Sequence, residues 1–515
     1  MRKTAPTAIA ILLLLCHQAS AQTAEALWRE AVEAWRAGDR STAARLGRRI
    51  LREFPGSPEA RRIRMLAARR GIAMDTPSLL DFRRRDVDPV RVTVRADQPA
   101  DFKLDRRIFG NFLEHLGSVI YGGVSAQVLA NTSFERVQVR DEHAPQMRAR
   151  GWTPDTPFPW QRLNESTEWE LIPEAVNTSA ALRLSGAGGV GVYQVVALPA
   201  HRCRTYEGYL YARADAEGAS LRVGFATEAG DVLDEVTIAG IGATYARHQF
   251  ELSLPGGELS VPYRARFVIS TDAARVDLDQ CLLMPTDHVE GLDPDIIRVG
   301  REWNIPLLRY PGGNFASGYH WEDGVGPLDE RPQLPNLAWG GVEYNHFGTD
   351  EFMRFCGLIG AEPHICVNIG SGTPEEAAHW VEYLNGSTQT AYGRRRADNG
   401  HPEPYRVKVF EIGNEIYGNW QIGHCDAAEN ARRYRAFVEA MKAVDPSIEC
   451  IANGQSARND WNDTLIRDAG DILEAISLHP LIGPWNMPDG KSAAEIHLAF
   501  CAQADDFFRQ YLPEL

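Results

Sequence analysis

The sequence lacks three features, and each absence excludes a class of function. Beyond residue 21 no stretch approaches the roughly 18 continuous apolar residues of a membrane-spanning helix, so no membrane span is expected. Positive charge is in deficit: 54 Lys and Arg face 69 Asp and Glu, a formal charge of −15. A field of that sign repels polyphosphate backbones and anionic bilayers, which argues against nucleic acid and favours a neutral ligand. Closely spaced cysteines are also missing. Eight occur, at positions 16, 203, 281, 356, 366, 425, 450 and 501, and no pair has metal-site spacing. Most read as small buried hydrophobes, and sequence alone assigns no disulfide.

What is present is apolar surface in quantity. With 515 residues, 44% of them hydrophobic, and 12 Trp, 16 Tyr and 19 Phe, the chain predicts a globular protein of roughly three to four domains. Residues 1–21 combine Arg2 and Lys3, an apolar core from Ala8 to Leu15, and Ala19-Ser20-Ala21 before Gln22. That is the layout of a cleavable signal peptide and predicts a secreted or periplasmic product. Leu15 is too bulky for lipoprotein processing at Cys16, so cleavage after Ala21 is expected.

Four segments follow. Residues 22–74 have helical periodicity, with Leu27, Ala31, Ala34 and Trp35, a Gly38-Asp39 turn, then Leu46, Ile50 and Leu51, and a third basic helix from about Glu59. The hairpin resembles one tetratricopeptide-type repeat. A single repeat cannot bury its own face, so it is expected to pack on the rest of the chain, bind a protein partner or self-associate. Residues 90–131 carry a first barrel strand, Ile108 to Phe112. Residues 132–288 alternate in short runs between turns, which predicts an inserted β-sandwich of carbohydrate-binding type with Trp152, Trp160 and Trp169 as candidate sugar platforms. In residues 289–515, strands at Pro306–Tyr310, Pro363–Val367, Val407–Ile412, Glu449–Ala452 and Ala475–Leu478 alternate with helices, and a last helix runs from Ala493 to Tyr511. The fold expected is α/β, a (β/α)8 barrel with about six of its strands present.

Three clusters lie just after strands, where parallel barrels place their active sites. They are Gly110-Asn-Phe-Leu-Glu114-His115-Leu-Gly, Arg309-Tyr-Pro-Gly-Gly-Asn314-Phe with Tyr319-His-Trp321-Glu-Asp323-Gly, and Glu411-Ile-Gly-Asn414-Glu415-Ile with Trp420-Gln-Ile-Gly-His424. A carboxyl at a strand end, behind a buried Ile-Gly and ahead of aromatics, is desolvated in a way that suits a general acid.

These blocks, with Gly348-Thr-Asp-Glu-Phe, give residues 92–506 a close resemblance to the α-L-arabinofuranosidases of glycoside hydrolase family 51. The resemblance implies a retaining exo-hydrolase that removes terminal arabinofuranosyl groups from arabinan or arabinoxylan and their oligosaccharides, with no metal or organic cofactor. Matched residue by residue, it implies Glu415 as acid/base and Asn414 as ligand of the sugar 2-hydroxyl. Glu114 and Asn314 resemble the pocket's hydroxyl-binding residues, and Trp339 resembles the aromatic wall facing the leaving group. His479 matches a Ser-Leu-His block, but Leu481 stands where the family typically has a Tyr.

The second carboxylate is the larger departure. The family's nucleophile is a Glu in an Asp-Glu-Trp block at the seventh strand, and this sequence has no such block. Glu168 and Glu302 precede Trp residues, but the first falls in the sandwich and the second in a helix before the second strand; Glu514 is penultimate, with no strand to present it. The sequence therefore predicts a chain truncated before its nucleophile, with its own turnover in doubt. A noncatalytic arabinoside-binding protein and another retaining barrel glycosidase remain the alternatives.

Overall fold

The structure, a computed structural model, describes residues 23–54 and 102–479 except for 138, 140–143, 150–151, 154–155, 177–179, 216–217 and 456–459, together with the isolated positions 59, 63 and 98. The expected signal peptide, most of the expected third helix, the expected last helix, Leu481, Cys501 and Glu514 lie outside these residues. No described helix is long and apolar enough to cross a membrane. The six described cysteines are free.

The N-terminal hairpin is helix α1 (Ala24–Arg36) and helix α2 (Arg40–Glu53). The Thr23 hydroxyl caps α1 by accepting from the Ala26 N–H, the Asp39 carboxylate caps α2 by accepting from Thr42, and Gly38 makes the left-handed turn between them. Leu27, Ala31, Leu46 and Ile50 form its small core.

The barrel's first strand, β1 (Asn111–Phe112), is shorter than the sequence suggests. Arg106–Phe109 is instead a 3-10 turn capped by Asp105, with Ile108 and Phe109 exposed. The chain then passes through helix α3 (Ala144–Arg148) into the sandwich. Its strands are β2 (Gln161–Arg162), β3 (Glu168–Ile172), β4 (Ala181–Ser185), β5 (Val190–Leu198), β6 (Thr205–Ala214), β7 (Ala219–Ala226), β8 (Val232–Ile241), β9 (Ala246–Ser253), β10 (Tyr263–Thr271) and β11 (Arg275–Pro285). They form two five-stranded antiparallel sheets, β2-β5-β10-β7-β8 and β3-β4-β11-β6-β9, whose inward residues, Leu182, Leu210, Phe225, Phe267 and Leu278 among them, share one core.

The tryptophan platforms are not borne out here. Trp152 and Trp160 are buried, and their indole N–H groups donate to the Val137 and Asn131 carbonyls, so both satisfy their one polar atom inside the fold. Trp169 is half-buried, with the Arg162 guanidinium 5.0 Å above its ring. Two of the three are needed by the core, and the third has a ring face already occupied.

After the sandwich come helix α4 (Pro294–Trp303), β12 (Leu307–Tyr310), the hairpin strands β13 (Leu334–Pro335) and β14 (Val342–Glu343), helix α5 (Thr349–Ile359), β15 (Glu362–Val367), helices α6 (Pro374–Asn385) and α7 (Ala391–Asp398), β16 (Val409–Ile412), helix α8 (Ala427–Val444), β17 (Glu449–Asn453), helix α9 (Asp460–Ala469) and β18 (Ala475–Ser477). One parallel sheet runs β1-β12-β15-β16-β17-β18. This is the partial barrel expected. All of β16 is buried, as a parallel strand covered on both faces must be, and α8 packs Tyr434, Phe437, Val438 and Met441 inward. β1 and β18 are its outer strands, with no further sheet partner among the described residues.

Candidate active site

Because all six strands run in parallel, their C-terminal ends open on one side, and the three clusters meet there. After β12 the chain turns through Pro311-Gly312-Gly313. A Cβ on Gly312, where φ is +117°, would stand 2.3 Å from Glu114 Cβ and Cγ, so only glycine lets the turn lie this close to Glu114. A Cβ on Gly313 would stand 3.4 Å from Glu114 Oε1 and 3.6 Å from Asn414 Nδ2. Glu114 and Asn414 therefore border the same small space.

Glu114 is buried, and its Oε1 accepts from the Phe315 N–H at 3.0 Å and from the Trp339 indole N–H at 3.0 Å. Trp339 sits at the tip of the β13–β14 hairpin, half-exposed, with its backbone N–H donating to Asn336 Oδ1. Asn314 Oδ1 accepts from Gln421 Nε2 at 2.5 Å, and Gln421 Oε1 accepts from the Ser317 hydroxyl, which stitches the β12 loop to the β16 loop. His115 is buried between Glu343 (2.7 Å) and the Tyr310 hydroxyl (3.0 Å), stacked on Phe315.

Glu415 follows β16 in a left-handed conformation, φ +46°, a cost of roughly 1–3 kcal/mol in a residue other than glycine, and one that surrounding contacts must sustain. Its Oε1 lies 3.0 Å from His479 Nδ1, and 15% of its side chain is exposed. The other face of the imidazole looks at Glu411: Nε2 is 3.7 Å from Glu411 Oε1, an electrostatic contact too long for a hydrogen bond. Glu411 in turn is ion-paired through Oε2 with Arg309 Nε, and Arg309 Nη2 donates to Asn414 Oδ1 at 2.8 Å. One buried chain thus runs Asn414–Arg309–Glu411–His479–Glu415.

This chain sets the charges. Burial by itself would raise the Glu411 carboxyl, but Arg309, followed by His479 and His364, overrules it and holds Glu411 well below the carboxylate range. Burial works against a charged His479 too, yet the Glu411 and Glu415 carboxylates outweigh it and raise the imidazole to about 9. His364, 3.6 Å from Glu411, is lowered to about 4 because burial dominates there. The Cys366 thiol beside Arg309 is pushed up to about 12 by burial. At neutral pH the site holds Arg309 and His479 as cations and Glu411 as an anion.

Glu114, Asn314, Trp339, Asn414, Glu415 and His479 thus gather at the ends of neighbouring strands in separate hydrogen-bonded groups: Glu114 with Trp339, Asn314 with Gln421, Asn414 with Arg309, and Glu415 with His479. Sequence reasoning places Arg309 and Glu411 in the clusters but gives them no role, although the signal is available: a lone charge in the apolar strand Val-Phe-Glu411-Ile and another in Leu-Leu-Arg309-Tyr. Two opposite charges at barrel-strand positions that burial would penalise singly imply each other.

Residues 301–479 match the model of the α-L-arabinofuranosidase 1 domain. The domain resembles a probable α-L-arabinofuranosidase C of Aspergillus fumigatus, 47% identical over 178 residues that make up 35% of each chain. It also resembles an intracellular exo-α-(1→5)-L-arabinofuranosidase of Halalkalibacterium halodurans, 39% identical over 233 residues, 44% of this chain and 46% of that one. The chain thus spans less than half the length of these curated relatives. Among solved structures, the arabinose-bound MgGH51 α-L-arabinofuranosidase shares the fold, with a TM-score of 0.57 and 24% identity over 68% of this chain and 59% of that one. Within the arabinofuranosidase domain lie Asn314, Trp339, Asn414, Glu415 and His479; Glu114 reaches the site from the strand that precedes the insert.

Proposed function

We propose that this chain is an exo-acting α-L-arabinofuranosidase whose pocket takes a terminal arabinofuranosyl group of arabinan- or arabinoxylan-type glycans. The observation that carries the reading is the convergence of Glu415 and Asn414 at the end of β16 with Glu114, Asn314 and Trp339. In this reading Glu415 protonates the departing glycosidic oxygen through the oxygen that His479 leaves free, and afterwards takes a proton from water. Asn414, fixed by Arg309, meets the sugar 2-hydroxyl; Glu114 and Asn314 bind hydroxyls deeper in the pocket; Trp339 walls the leaving-group side.

A second reading, a noncatalytic arabinoside-binding protein, is favoured by one observation. Retaining hydrolysis needs a second carboxylate about 5 Å from the first, and the described carboxylates around Glu415 are engaged: Glu411 by Arg309, Glu114 by Phe315 and Trp339. The test is to purify the chain and measure arabinose binding by calorimetry together with hydrolysis of an aryl α-L-arabinofuranoside, beside an aryl β-D-xylopyranoside and a Glu415→Ala control. Turnover above the control on the arabinofuranoside alone supports the enzyme. Binding without turnover supports the second reading. Hydrolysis of the xylopyranoside instead would point to a pyranose-acting glycosidase, and neither binding nor turnover would overturn all of these readings.

A further inference from the structure

The residues flanking the Trp339 hairpin touch the turn that leads into the sandwich. Gln333, directly before β13, donates from Nε2 to the Thr132 hydroxyl at 3.1 Å, and both side chains are buried. The Tyr344 hydroxyl, directly after β14, accepts from the Asn131 N–H at 2.9 Å. Two consecutive residues of the turn that leads into the sandwich therefore contact both legs of one hairpin. Their turn is itself locked: Asn131 has φ +49°, its side chain bonds Glu135 and the Phe158 carbonyl, its carbonyl accepts from the Trp160 indole, and the Thr132 carbonyl accepts from the Cys281 N–H. A third contact braces the approach to the hairpin, where the Tyr209 and Tyr211 hydroxyls of β6 donate to the Asp329 carboxylate.

From these anchors a continuous set of contacts leads to the pocket. The Tyr344 ring packs edge-on against Tyr121, 4.7 Å between centroids, and Tyr121 donates to Glu343. Glu343 holds His115, the His115 carbonyl accepts from Asn336 Nδ2, and Asn336 Oδ1 accepts from the Trp339 N–H. Half-buried aromatic rings on the sandwich are meanwhile covered by arginines, Arg247 over Tyr209, Arg213 over Tyr245 and Arg266 over Tyr193, which leaves them poor stacking platforms for sugar.

We propose that the inserted sandwich is a positioning element of the active site: it holds the Asn131-Thr132 turn that precedes it, and that turn sets the place of the Trp339 hairpin and so selects what lies on the leaving-group side of the bound sugar. Asn131, Thr132, Gln333 and Tyr344 are positioning residues that act through Trp339. The inference deepens the proposed function and rests on it for the leaving-group assignment. A two-legged grip suits this role because a hairpin held at one leg can still pivot, whereas one held at both cannot without breaking a buried hydrogen bond.

The test uses the full chain with 5-fluorotryptophan incorporated, the Trp339 resonance being identified with Trp339→Phe. Thr132→Val and Tyr344→Phe together remove two hydroxyls and keep both shapes. The expected result is a displaced or broadened Trp339 fluorine resonance with those of Trp321 and Trp380 unmoved. Affinity for phenyl 1-thio-α-L-arabinofuranoside, which resists hydrolysis, should fall roughly tenfold while that for free arabinose holds, since the loss is confined to the leaving-group side. An unmoved Trp339 resonance with unchanged affinities would overturn the proposal, as would equal losses for both ligands. Should the double variant fail to fold, Tyr209→Phe with Tyr211→Phe releases Asp329 from outside the turn and is read by the same two criteria. If the wild-type chain binds neither ligand, the functional reading falls, and the fluorine spectrum still decides whether the sandwich places Trp339.

Discussion

Replacing Arg309 by Met is the sharpest probe of the charge chain behind the site. Arg309 and Glu411 side chains retain 13% and 2% exposure, so the pair is shielded from solvent screening. Removing the cation leaves Glu411 buried with the imidazoles of His479 and His364 beside it, at 3.7 and 3.6 Å. Breaking a buried pair in this way costs about 3–5 kcal/mol, because the remaining charge has lost its compensation. Glu411→Gln should cost less, about 1–3 kcal/mol, since Arg309 keeps its bonds to Asn414 and Cys366. The double variant Arg309→Met/Glu411→Leu removes both charges together and should sit within about 2 kcal/mol of wild type. The assay is urea unfolding followed by amide exchange in residues 361–479, which reports the barrel apart from the sandwich. The acid limb gives an independent check. Glu411 lies below its unfolded value, so its stabilisation is present above an ordinary carboxylate value of 4.5 and is lost as pH falls. Arg309→Met should flatten that limb. Losses that simply add in the double variant, with the acid limb unchanged, would refute the coupling.

Three further outcomes follow from the same geometry. His479, raised from 6.5 to about 9, contributes stability that is fully present below 6.5 and lost as pH rises through 9; its imidazole NMR titration should have a midpoint near 9 in wild type and fall in Glu411→Gln, and an unmoved midpoint would remove Glu411 from the relay. Gly312→Ala places a Cβ 2.3 Å from Glu114 in a left-handed backbone, so it should destabilise the barrel by more than about 2 kcal/mol and abolish arabinose binding by calorimetry; wild-type affinity would show that the turn yields cheaply. If the chain turns over arabinofuranosides, Glu415→Gln should slow substrates with poor leaving groups by roughly 10²-fold or more and those with good ones much less, whereas equal losses would deny Glu415 the role of acid.

The parts of the site that sequence made legible are those written in consecutive residues. Gly312-Gly313 before Asn314, and Ile412-Gly413 before Asn414-Glu415, each specify a turn at a strand end, and the turn fixes where the next side chain stands. Ile108 to Phe112 read as a strand because its residues are apolar, yet Arg106–Phe109 closes a 3-10 turn once Asp105 caps it: a local hydrogen bond outweighed a composition that no neighbouring layer buries. Trp152 and Trp160, candidate platforms by sequence, belong to the interior for a related reason. Composition announces an aromatic but does not say whether its N–H faces water or a carbonyl, and here the Val137 and Asn131 carbonyls, each placed by the turn before the sandwich, decided it.

What sequence could not show is the pairing across strands. Arg309 and Glu411 lie 102 positions apart, on strands separated in the sheet by β15, and although each opens a cluster, neither cluster points to the other. Their connection appears only when the register sets Arg309 beside His364 on one strand pair and Cys366 beside Glu411 on the next, which brings guanidinium and carboxylate to neighbouring levels of the barrel interior. Burial then turns proximity into necessity: neither charge is tolerable there without the other. The same reasoning links the chemistry to the fold. Glu415 is held in a backbone conformation that a lone glutamate would leave, and its fixed partner is His479, whose charge depends on Glu411, whose own charge depends on Arg309. The acid at the strand end is therefore legible as a motif, but the conformation that makes it useful is maintained by β12, β16 and the end of β18 acting together, which no single stretch of the chain encodes.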